Sequence, residues 1–308
     1  MRATLQNLCD QFIRNRDTLR GAFKWHSAYM AAVCAHLFAA AGKTADTAAL
    51  GACRNLIKNR SKWYSSFRGN VHMPLACLLS MEADPVAAFT RAEDTYRLFR
   101  AHFPMSDHLA LAAALLQNAS YTAQDAARAR ALWDLIRKEH PFLTGPEDTL
   151  LCLLLCRSAR DDLSIIRHME SCYLHLKCRF GYANWTQSVS HILTLSDAAP
   201  EQQVRRLFDL YDSISLAGGK YGKSYELPAL AAFASVDADA RAVAMDVMDA
   251  DLFLSEQQGY GFFGLGKQTR LMHAIMIVSG EYARQEGMDM ALLGSTLSLI
   301  IAQQQAAT

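Results

Sequence analysis

His140-Pro141-Phe142-Leu143-Thr144-Gly145-Pro146-Glu147-Asp148 runs directly into Thr149-Leu150-Leu151-Cys152-Leu153-Leu154-Leu155-Cys156. An aromatic residue opens a short turn, and an apolar stretch follows it. The pattern occurs seven times, led by Phe23, Phe67, Phe103, Phe142, Phe180, Tyr221 and Phe263. Successive leaders are 44, 36, 39, 38, 41 and 42 residues apart. A recurrence of about 40 residues is the mark of stacked helical hairpins, because one helix pair cannot bury its apolar face alone.

Between the apolar stretches lie more polar segments, at 85–102, 122–140, 161–179, 200–216 and 237–256. Their apolar residues fall at helical spacing, as with Leu132, Leu135 and Ile136, or Val204, Leu207, Phe208 and Tyr211. Asp84-Pro85 reads as a capping carboxylate before a first-turn proline. Thr122 with Asp125, and Thr144 with Glu147, read as capping boxes. Each unit is therefore an outer amphipathic helix, an aromatic turn and a buried inner helix. The inner helices are expected at 25–40, 71–81, 106–118, 146–158, 182–195, 224–234 and 266–282, with a capping helix at 288–304. Nothing alternates with period two, so little or no sheet is expected. The fold class is all-α: one domain over 1–308, a right-handed array of about seven hairpins. An open α-solenoid is the preferred closure, and an α/α toroid with a central cavity is the alternative.

Half of the 308 residues are apolar and a fifth are charged, enough for a sizeable core and against disorder. Net charge is +1 but unevenly spread. Residues 1–70 carry 11 Lys/Arg against 3 Asp/Glu, a balance of +8; the rest carries 20 against 27, a balance of −7. The basic end could steer an acidic partner. The start lacks the apolar core of a signal peptide. The longest apolar runs are too short to span a bilayer, and no membrane partner is expected. Eight cysteines, several on apolar helix faces, suit a reducing cytoplasm better than a disulfide framework.

Few motifs point to chemistry. Gly259-Tyr260-Gly261-Phe262-Phe263-Gly264 fits G-x-G-x-x-G, but a helix and not a strand is expected before it. Gly222-Lys223-Ser224 lacks the first glycine of a phosphate-binding loop. His26, His72 and His108 begin successive inner helices. Equivalent positions in stacked helices lie about 10 Å apart, whereas metal ligands converge within about 2.3 Å of one ion. No metal and no cofactor is expected. The first turns of the inner helices do hold a varied polar set: Arg68, His72, His108, Asp148, Trp185, Gln187, Tyr225, Glu226, Lys267 and Arg270. Helix N-termini offer free N–H groups to anions and carboxylates. This rim is the candidate ligand or partner surface, beside the simpler reading of capping and turn stabilisation.

The strings Ser65-Ser66-Phe67-Arg68-Gly69, His140 through Asp148, and Ser188-Val189-Ser190-His191-Ile192-Leu193 resemble a bacterial family known as a domain of unknown function, number four thousand and three. The resemblance runs from about residue 10 to 285. It implies a bacterial cytoplasmic protein of this length and no particular activity. From architecture alone the expected function is non-enzymatic binding of a protein or peptide on a concave face or rim, with Trp185, Tyr225 and Arg68 as hot spots. The alternative is an enzyme in the cavity of a closed toroid, with Asp148, Glu226 and His108 as acid and base. Nucleic acid is not expected as a partner.

Overall fold

The computed structural model describes residues 1–23, 28–69, 71–231, 233, 236–260 and 264–285. Those residues form fourteen α-helices and no strand. The helices pair in chain order: α1 (Ala3–Ala22) with α2 (Ala28–Ala40), α3 (Thr47–Arg60) with α4 (His72–Ser80), α5 (Pro85–Arg100) with α6 (Asp107–Leu116), and α7 (Ala123–Glu139) with α8 (Thr149–Leu155). Then come α9 (Asp162–Phe180) with α10 (Asn184–Leu193), α11 (Pro200–Leu216) with α12 (Leu227–Ala231), and α13 (Ala240–Ser255) with α14 (Lys267–Gln285).

Odd-numbered helices form the outer layer. Side-chain carboxylates or hydroxyls cap them at Asp46, Asp84, Thr122, Asp161 and Asp239. The Asp84-Pro85 start and the Thr122–Asp125 capping box form as the sequence predicts. The box expected between Thr144 and Glu147 does not. Asp148 instead accepts from the Gly145 N–H at 2.9 Å, one residue later, and Pro146–Asp148 is a 3-10 turn ahead of a shorter α8. Gly181 ends α9 at φ 83°, a left-handed conformation that glycine tolerates best.

Even-numbered helices form the inner layer. Most are short: α12 has five residues, α8 seven and α4 nine. Isolated helices under about 12–15 residues are marginal in water, so packing holds them. Every residue of α4 from His72 to Leu79 is buried. Leu75, Ala76, Leu111, Ala112, Leu151 and Leu230 belong to one continuous core that runs through all seven pairs. A fully buried Leu contributes about 1.5–3 kcal/mol.

Each outer helix touches the next outer helix, and inner helices likewise meet from α2 to α8 and from α10 to α14. The expected open array is corrected at its ends. α1 packs on α13 and α14, and α2 packs on α14, so the pairs close into a ring. Phe12 and Tyr29 each lie 6.0 Å from His273, ring centre to ring centre. Thr4 donates to Glu281 at 2.6 Å, and Arg2 pairs with Asp246 at 2.5 Å. Hydrogen bonding to Asp246 raises the Arg2 pKa further above the already high value of a guanidinium. The capping helix expected at 288–304, the leader Phe263 and His26 lie outside the described residues.

Candidate functional site

All outer-to-inner turns lie at one end of the ring, because every pair runs in the same direction. That end gathers the residues singled out from sequence. Most are embedded. Arg68 donates to Ser61 at 3.2 Å, and Arg270 grips Asp251 through two bonds of 2.8 Å. Tyr225 meets Thr269 at 2.8 Å. His72 is buried at the head of α4, while His108 and Trp185 are half-buried and Lys267 is exposed. Of the expected trio of Asp148, Glu226 and His108, the two carboxylates have other neighbours. Asp148 meets His191, whereas Glu226 accepts from Ser224 Oγ at 2.7 Å and lies near Tyr29 and Tyr225.

The more informative cluster joins the fourth and fifth pairs. Trp133 Nε1 donates to the Gly145 carbonyl at 3.0 Å and holds the turn in place. A Cβ at Gly145 would lie 2.3 Å from the Glu147 carboxylate, so only glycine permits that carboxylate its position. Asp148 spends one oxygen on the Gly145 N–H. Its other oxygen lies 3.3 Å from His191 Nδ1, within ion-pair range though off the hydrogen-bond axis. Both side chains are buried. Gln187, one helical turn before His191, donates to Thr144 Oγ1 at 3.1 Å. Burial pushes the Glu147 carboxyl up, and the neighbouring charge of Asp148 adds to the shift.

His191 and Glu147 were missed as site residues by sequence reasoning, although a signal existed. The other inner helices bury Leu and Ala. α10 buries Thr186, Gln187, Ser188, Ser190 and His191 in the same layer. A polar residue in a core position costs free energy unless bonded, so this run departs from the pattern of its neighbours. Four of its buried atoms, Thr186 Oγ1, Gln187 Oε1 and both imidazole nitrogens of His191, have no hydrogen-bond partner. Such orphans are rare in folded proteins and point to a site that a ligand or water completes.

A second polar group lies where the ring closes. Tyr260 and His273 Nδ1 are 2.7 Å apart, and burial lowers the His273 pKa to about 3. Tyr29 stands edge-on to Tyr225 with ring centres 6.0 Å apart. The Tyr29 hydroxyl and His273 Nε2 are buried without partners. A Cβ at Gly222 would lie 2.3 Å from Glu226, so this turn repeats the glycine–carboxylate contact seen at Gly145. Among the described residues, no group of three His, Cys, Asp or Glu could hold a metal ion.

The chain matches the family described as Protein of unknown function (DUF4003) over residues 15–306. It belongs to that family. No curated protein and no solved structure matches it.

Proposed function

We propose that this helical-repeat protein is an enzyme that moves a proton on a small polar substrate, bound where the inner helices begin. The observation that carries the reading is the Asp148–His191 pair, buried, contributed by different helix pairs, with His191 Nε2 unpartnered. In the proposed mechanism the Asp148 carboxylate, 3.3 Å from Nδ1, stabilises by charge the imidazolium that forms when Nε2 takes a proton from the substrate. Glu147, whose pKa is raised, keeps its own proton longer than an ordinary carboxyl and returns it to the leaving or receiving atom. Gln187 Oε1 and Thr186 Oγ1, buried and without partners, supply hydrogen-bonding groups for a hydroxyl-bearing ligand. The expected protein or peptide partner on a concave face presupposes an open array; one on the rim does not. All eight cysteines are free thiols, in keeping with a reducing cytoplasm.

The test is comparative mass spectrometry of a bacterial small-molecule extract incubated with the protein. The reading expects at least one compound consumed by the wild type. His191→Ala should slow its loss by about 10²- to 10⁴-fold, the usual contribution of a general base, and Asp148→Asn should slow it substantially. Equal consumption by wild type and both folded variants would contradict the reading.

A further inference from the structure

The same end of the ring carries a second feature that the proton-transfer reading does not use. In five successive turns an apolar side chain stands out into solvent. They are Trp63 and Tyr64 after α3, Met105 after α5, Phe142 after α7, Tyr182 after α9, and Leu216 at the end of α11. Trp63 is 82% exposed, Phe142 89% and Leu216 84%. These read as separate tips, because neighbouring helices lie about 10 Å apart.

Cations flank the tips. The last turns of α3, α5, α7 and α9 each end on two basic residues: Lys58 and Arg60, Arg97 and Arg100, Arg137 and Lys138, Lys177 and Arg179. Lys62, Lys220 and Lys223 lie exposed in the turns themselves. Basic residues at a helix C-terminus also favour the helix dipole, and the arginines among them are engaged: Arg60 by Glu93 at 2.9 Å, Arg97 by Asp94 at 2.6 Å, Arg179 by Asp212, Arg100 by the Phe103 carbonyl at 2.6 Å, and Arg137 over the Trp133 ring; the lysines carry the free charge. The dipole explains the last-turn bases but not Lys62, Lys220 and Lys223, which lie beyond the helices, nor the protruding rings beside them.

We propose that this face docks peripherally on an anionic phospholipid bilayer. Separate apolar tips ringed by Lys and Arg match an interface in which rings sit at headgroup depth and cations meet phosphates. A folded protein partner would want a continuous apolar patch, and a single nucleic-acid strand would want a basic groove lined with stacking rings. Separate tips with lysines between them suit neither. Among the described residues no helix is long and apolar enough to cross the membrane, and the contact proposed is a superficial one.

The experiment is sedimentation of the full chain with phosphatidylglycerol vesicles and with phosphatidylcholine vesicles, at low and high salt. Binding is expected for phosphatidylglycerol, with loss as salt rises. The double variant Trp63→Ser/Phe142→Ser should bind at least about tenfold more weakly, as should Lys62→Glu/Lys138→Glu. These positions are exposed, and circular dichroism confirms that the variants fold. Equal binding to both lipids, unchanged binding by both variants, or retention on single-stranded DNA without vesicle binding would each overturn the proposal.

Discussion

At the residue scale the decisive groups are charged or titratable side chains removed from water. Glu147 is the clearest. Its folded pKa lies above the ordinary value of 4.5 because burial disfavours the ionised form. Native protein therefore binds this proton more tightly than unfolded chain. Stability rises as pH falls through the raised value, and the cost of the buried charge stands in full above it. Glu147→Gln removes that cost. The variant should melt about 2 °C above wild type at pH 8, and the gap should close by pH 4. A variant less stable at pH 8, or a gap independent of pH, would count against the assignment. The sequence exposed part of this site. Asp148 and Gln187 stood out as polar residues in a first turn. His191 did not, because it lies two turns into a segment that reads as core, and its importance comes from a neighbour 43 residues earlier. Phe142 shows the reverse case. As a leader of the repeat pattern it should face inward like Phe67 and Phe103, yet it is exposed and the adjacent Leu143 is buried instead.

At the element scale the helices were legible because their signals are local. Carboxylate and hydroxyl caps, first-turn prolines and apolar spacing act within a few residues. Their ends were less so. α8 stops at Leu155, earlier than expected, and a side chain from another element satisfies carbonyls beyond its end. Arg128 is that side chain. From α7 it donates to the carbonyls of Cys156 and Ser158 at 2.7 and 2.8 Å, to that of Arg160, and to Asp162 at 2.8 Å. It ties the end of α8 to the start of α9. Arg128→Ala should cost about 2–3 kcal/mol, because several carbonyls lose a charged donor, and lower the melting temperature by roughly 5 °C. Arg128→Lys should recover little, since one ammonium cannot reach this fan of acceptors. A melting curve for Arg128→Ala that overlays the wild type would contradict the clamp.

At the scale of the whole molecule, spacing along a chain tells which helix pairs are neighbours but not whether the last meets the first. That depends on the small rotation accumulated at each step, which no local signal encodes. Closure is what turns a row of inner helices into a ring with one polar end, and so places Glu147, Asp148 and His191 inside and the aromatic tips around them. The most direct test is a distance between spin labels at Asn7 on α1 and Met245 on α13, both exposed. Cys178, the one exposed native thiol among the described residues, is replaced by Ser. A closed ring makes these helices neighbours and predicts a single distance under about 30 Å, allowing for the labels. A separation near 60 Å, as seven pairs spaced about 10 Å apart in an open row would give, would contradict the account.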